Sequence, residues 1–275
     1  MTRVKKSPFK RLRKNRKAAS PAISMVIITA VTIVLVIVAG NYAYQTLERQ
    51  RGASEFETVK RSFLAFDDAV RDVAWDRGAS RSARFTVNYG RLELIPNTLP
   101  LVINVTGYPD ASYSTNTSYV RYRISTNYIT FGDGYESYIL GDSKTVVSAS
   151  TEGFGRALIK QESGWVSILL NYRVRALREG PPTLVNSTLV NYVDILIIRI
   201  NVTKWSMYMG DFDLVAKNIG ITTVSRGPYP VTGNNCTVSV SLGGSSSSVL
   251  VSLVPNGTQA QVVFNFVIAD VQIST

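Results

Sequence analysis

Between Lys17 and Glu48 the chain carries no charged residue, and across 22–40 only Ser24, Thr29 and Thr32 interrupt an otherwise apolar run. A helix over those 19 residues rises roughly 28 Å, close to the ~30 Å hydrocarbon core of a bilayer. The stretch is therefore expected to be a transmembrane helix over 19–47. Its flanks set the direction. Residues 1–18 hold nine Lys or Arg and no acid, whereas acids and bases are mixed after Leu47. The inside-positive rule keeps the basic leader in the cytoplasm and sends the C-terminal part outside.

The same asymmetry explains the net charge. Nine of the eleven excess positive charges lie in that leader, where membrane topology and anionic lipids already account for them. Nucleic acid is not needed as a partner. The chain contains no His and one Cys, Cys236. An intramolecular disulfide, a His-based triad and a Cys/His zinc site are thereby excluded. No nucleophile–base pairing emerges from the remaining residues, and the expectation is a protein that is not an enzyme and carries no cofactor.

An ordinary secretory signal has a shorter apolar segment, cut on its far side at small residues; here the far side reads Asn41-Tyr-Ala-Tyr-Gln. The near side reads Arg16-Lys17-Ala18-Ala19-Ser20-Pro21 and runs directly into the apolar helix. That order resembles the class III signal of archaeal type IV pilin-like proteins. The resemblance is specific over about thirty residues and architectural beyond them. It implies a prepilin peptidase cutting between Ala18 and Ala19 on the cytoplasmic side, with Arg16, Lys17, Ser20 and Pro21 in the recognised motif. It implies further a helix that survives cleavage and packs with other pilin subunits into a helical homo- or hetero-polymer, driven by an assembly ATPase and a membrane platform. The fifth mature position, an acid in most bacterial pilins, is Ile23 here, which points to the archaeal branch. A signal anchor that is never cleaved, carrying an extracellular binding protein that does not polymerise, accounts for the same hydropathy and charge.

Beyond the apolar run the helical pattern continues over 48–77. Phe56, Val59, Phe63, Phe66, Val70 and Val73 alternate steps of three and four, which predicts one buried stripe on an amphipathic helix continuing the membrane helix. Glu57 with Arg61 and Asp67 with Arg71 stand at the i,i+4 spacing, expected on the outer face. Gly52 predicts a kink, because glycine weakens a helix interior. From residue 82 the period falls to two. Strands are expected at 83–87 and 91–95, joined as a hairpin through Asn88-Tyr89-Gly90, and then in short runs to 273. The fold class expected is α+β: a long N-terminal helix followed by a β-rich extracellular region over 82–275, sandwich-like, as one unit or as two divided near 178–186. A fragment starting at residue 77 is expected to be soluble. Residues 243–248, Gly-Gly-Ser-Ser-Ser-Ser, are expected to form a hairpin loop.

Six Asn-x-Ser/Thr sequons, at Asn104, Asn116, Asn186, Asn201, Asn235 and Asn256, all lie beyond the helix and are glycosylation candidates. Asp133, Asp211 and Asp213 lack the oxygen spacing of a calcium loop, so no metal site is expected. Tyr113, Tyr119, Tyr122, Tyr128, Tyr135 and Tyr138 crowd within one stretch and read as half-buried sheet positions, with an adhesive face as the alternative. The function expected is a structural or adhesive subunit, major or minor, of an archaeal surface filament.

Overall fold

The computed structural model describes residues 16–142, 144–149, 153–185, 188–255 and 260–275, with side chains from residue 23 onward. Among the described residues one helix, α1 (Arg16–Ala74), is followed by thirteen strands. The chain divides into two compact units, Met1–Gln50 and Arg51–Thr275.

In the first unit every side chain from 23 to 47 is exposed, including the aliphatic ones. This is a helix long and apolar enough to cross a membrane. In the second unit the helical residues behave oppositely. Phe56, Val59, Phe63, Phe66, Val70 and Val73 are buried, so the period of three and four does mark the packed face. Phe63 and Phe66 meet Phe85 edge-on at 5.5 and 6.3 Å between ring centroids, the favoured approach of one ring's positive edge to another's negative face. Because this stripe forms the helical side of a core, the fragment starting at residue 77 would lack part of its own interior. Arg51 is where the separable β-rich unit begins.

The helical backbone of α1 continues through Gly52. Gly52 also allows a close approach: a Cβ there would lie 2.6 Å from the Cβ of Tyr128. Of the two expected pairs, Asp67 with Arg71 forms, Oδ2 to Nε at 3.2 Å, but Asp67 is buried and not on the outer face; Glu57 pairs with Lys60 at 3.5 Å.

The strands are β1 (Ser80–Thr106), β2 (Tyr108–Ser125), β3 (Glu136–Leu140), β4 (Val147–Ser148), β5 (Gly155–Glu162), β6 (Trp165–Tyr172), β7 (Val174–Arg178), β8 (Thr183–Val185), β9 (Thr188–Asn201), β10 (Ser206–Pro230), β11 (Asn235–Leu242), β12 (Ser245–Ser252) and β13 (Ala260–Ser274). They form one sheet in the order β3-β5-β6-β2-β1-β10-β13-β9-β7-β4. Strand β11 branches from β1 and carries β12, and β8 pairs with β9. The expected two-sheet sandwich is thus a single hydrogen-bonded sheet. The reason is strand length: β1 and β10 have 27 and 25 residues, and β1 runs from one core into the other as one strand, with an irregularity in its pairing to β2 between Ile95 and Leu99.

Two cores result. The first joins the α1 stripe to Phe85, Leu92, Tyr122, Ile168 and Leu214; the second holds Leu101, Ile103, Val238, Val240, Phe264 and Phe266. Strand β9 gives Val193, Ile195 and Ile197 to the second core and Ile198 and Ile200 to the first, which Val202 joins just beyond the strand. Its two faces alternate with period two, and both are buried. The segment 179–182 connects β7 and β8, which both pair with β9.

The expected hairpin at Asn88-Tyr89-Gly90 is a bulge inside β1. Between Val87 paired with Gly210 and Leu92 paired with Tyr208, β1 carries four residues opposite Met209 alone. Extra residues leave backbone N–H groups without a ladder partner, and a helix carboxylate takes them up. Glu55 Oε2 accepts from Asn88 N–H at 2.6 Å and Tyr89 N–H at 2.9 Å, and Oε1 accepts from Gly90 N–H at 3.0 Å and the Tyr122 hydroxyl at 2.9 Å. Gly90 belongs to the same arrangement, since a Cβ there would overlap the Tyr122 ring. Gly90→Ala is expected to destabilise the unit by about 1–3 kcal/mol through overpacking. Gly220→Ala, whose methyl meets open space, should shift a thermal melt little, and equal melts for the two variants would contradict this role of Gly90.

The expected loop at 243–248 is shorter than its composition suggests. Gly243 and Gly244 form the turn with φ of +56° and +89°, the two positive values a tight hairpin of this kind needs. The serines that follow belong to β12, and Ser247 Oγ accepts from the N–H groups of Val146 and Val147 at 2.9 and 3.1 Å.

Candidate functional site

The candidate assembly element is the exposed apolar helix. Arg16, Lys17, Ala18, Ala19, Ser20 and Pro21 are helical in backbone, and their side chains lie outside the described residues. Further along, Thr29 and Thr32 return their hydroxyls to the carbonyls of Met25 and Ile28 at 2.9 and 2.8 Å. Those two polar interruptions are therefore satisfied within the helix, as an apolar surrounding requires. Ile23, Val26, Ile27, Val34 and Leu35 are all more than half exposed.

The sequons fall at different places. Asn104, Asn116 and Asn235 are exposed on β1, β2 and the start of β11. Asn201 is half-buried at the end of β9, and Asn186 and Asn256 lie outside the described residues.

The crowded tyrosines do not share one surface. Tyr122 is buried on Glu55, Tyr113 stacks on Phe266, Tyr138 receives the Arg156 guanidinium, and Tyr135 stacks on Phe131. The acids considered for cations have protein partners. Asp211 and Asp213 face Arg84 at 3.9 and 3.6 Å, and Asp133 lies 3.5 Å from Gln161 Nε2. Among the described residues no three His, Cys, Asp or Glu side chains converge.

One concave site stands against the helix, a cavity of about 420 Å³ lined by Asp67, Asp68, Arg71, Gly141, Gly155 and Arg173 among others. Gly155 lets the Asp67 carboxylate in, since any Cβ at that position would occupy the same space. Burial pushes the Asp67 carboxyl up to about 6, with the Arg71 charge opposing. Burial, and then the Asp67 charge, holds Tyr172 well above the ordinary phenol range. Arg71 also pairs with Asp68, while Arg173 Nη1 stands 3.8 Å from Asp142. Opposite charges balance one another around this cavity, which makes it an internal electrostatic joint between helix and sheet.

Sequence spacing could have placed Asp67 at this joint, because it lies four residues after Phe63 and three before Val70. Glu55 gave no such signal, since its partners, three backbone N–H groups and the Tyr122 hydroxyl, are all more than thirty residues away. Comparison of the chain with protein-family models, with characterised proteins and with solved structures finds no match to any of them.

Proposed function

We propose that this chain is a type IV pilin-like subunit of an archaeal surface filament, cleaved by a prepilin peptidase between Ala18 and Ala19. The observation that carries the proposal is the contrast along one helix. Residues 23–47 present apolar side chains that no other described residue covers, whereas the stripe from Phe56 to Val73 is buried under a β-rich unit. So much uncovered apolar surface needs lipid or neighbouring helices of the same kind. A pilin helix meets both in turn, first in the membrane and then in the filament core. The β-rich unit is then the extracellular coat, and exposed Asn104, Asn116 and Asn235 are open to glycosylation. A head-to-tail contact that does not close gives a helical polymer. Other pilin subunits, an assembly ATPase and a membrane platform are the partners this requires.

The test is recovery and mass of the protein from its native envelope. The expected result is a mature chain beginning at Ala19 in sheared, high-molecular-weight extracellular fractions. Val34→Asp should remove it from those fractions, because a charge in a close-packed helical core recurs at every subunit. Arg61→Glu, on an exposed helical position of the β-rich unit, should not. An unprocessed chain found only as a detergent-soluble monomer would overturn the proposal in favour of an anchored binding protein.

A further inference from the structure

Gln161 of β5 is 4% exposed, and the loop over residues 130–135 closes on its carboxamide. Oε1 accepts from the backbone N–H groups of Phe131 and Gly132 at 2.7 and 3.1 Å. Nε2 lies 3.5 Å from Asp133 Oδ1. Donors at one end and a carboxylate at the other fix which end of the amide is which. Gly132 and Gly134 supply φ values of +106° and +77°, which other residues adopt only under strain. The loop is closed again where the Gln161 backbone N–H donates to the Tyr135 carbonyl at 3.0 Å.

Thr130 completes the arrangement. Its hydroxyl stands 3.2 Å from Oε1, an oxygen whose two lone pairs already face two N–H groups. A C=O bond is about 1.23 Å long, so Oγ1 lies within about 4.4 Å of the Gln161 carboxamide carbon. The parts of an acyl transfer are thus assembled: a hydroxyl nucleophile, a carbonyl polarised by two N–H donors as in an oxyanion hole, and a carboxylate at the leaving nitrogen. A loop that needed only an anchor would be served by the two N–H bonds. The hydroxyl and the acid are additional.

We propose that Thr130 and Gln161 join as an intramolecular ester, made once per chain by the folded β-rich unit itself. Oγ1 attacks Cδ of Gln161, and the negative charge that develops on Oε1 is held by the Phe131 and Gly132 N–H groups. The tetrahedral centre collapses with cleavage of the Cδ–Nε2 bond. The proton lost by Oγ1 ends on that nitrogen, delivered by Asp133, and ammonia leaves. The balance needs no oxidant and no second substrate. Ammonia that escapes into bulk water takes up a proton there, which makes the step one-way. A chain with one Cys cannot staple itself by a disulfide, and an ester between 130 and 161 restricts the unfolded chain in the same manner. The inference stands on residues of the Arg51–Thr275 unit alone and is independent of the function proposed above.

Peptide mass mapping of the full chain after denaturation tests this. The expected product is one species joining the peptides that contain 130 and 161, lighter than their sum by one ammonia, about 17 Da, and split by hydroxylamine. Thr130→Ala, at an exposed position, should abolish the link and lower the urea midpoint, whereas Thr130→Ser should keep the link. Asp133→Asn should slow its formation roughly a hundredfold, leaving mostly unlinked chain that melts like Thr130→Ala. Separate, unmodified peptides from the folded parent protein overturn the ester. A Gln161 peptide about 1 Da heavier assigns the site to attack by water and overturns it as well. So does an ammonia loss that persists in Thr130→Ala.

Discussion

Glu55→Ala is expected to lower the stability of the Arg51–Thr275 unit by about 4 kcal/mol, read as a fall in the urea midpoint with an unchanged slope. A carboxylate accepting hydrogen bonds contributes more than a neutral acceptor, and its removal strands the three N–H groups of Asn88, Tyr89 and Gly90 in the bulge. Partners that share one acceptor do not add, which keeps the total below the sum of separate bonds. Against a typical total of about 5–15 kcal/mol the loss is large enough to populate unfolded chain. Glu55→Gln retains one acceptor oxygen but turns the other position into a donor facing donors, so it should recover only part of the loss. A midpoint for Glu55→Ala within error of the parent would show that the bulge holds itself.

The second large effect is pH dependence centred on Asp67. Its carboxyl is raised by burial from 3.8 to about 6, so between those values the folded state holds a proton that the unfolded chain releases. Stability from this group is therefore full below about pH 3.8, falls as pH rises through the folded value, and stays low above it. The difference corresponds to about 3 kcal/mol. Asp67→Asn is expected to be more stable than the parent at pH 7.5 by up to that amount and to converge with it toward pH 4. Asp142 works in the opposite direction, because hydrogen bonds from the backbone of Lys144 and from Thr145 hold its carboxyl below the usual range. The informative quantity is consequently the difference between the two proteins at each pH. A difference that does not change between pH 4 and pH 7.5 would contradict a buried, protonated Asp67.

Local periodicity revealed the helix and its stripe because both depend on residues three and four apart. It did not reveal where strands stop. Asn88-Tyr89-Gly90 has the composition of a turn, but the chain keeps direction there because Glu55, on another element, satisfies the bulge. Ser245 to Ser248 look like a loop, yet they pair with β11, and Ser247 uses its hydroxyl on the backbone of another segment. In strand β5, Arg156 and Gln161 are buried and hide the apolar alternation. Sheet continuity was equally out of reach, because the pairing of β9 with β13 joins residues about seventy positions apart.

The position of β13 governs when the sheet can form. It follows every other strand in sequence, yet it lies between β10 and β9, parallel to one and antiparallel to the other. Until its residues leave the ribosome, two halves of the sheet have no shared strand, and the apolar faces awaiting Phe264 and Phe266 stay open. Closure over such sequence separations is slow compared with local pairing. Under the proposed function the N-terminal helix is already in lipid during that interval, and attachment to the bilayer limits the encounters open to the newborn domain.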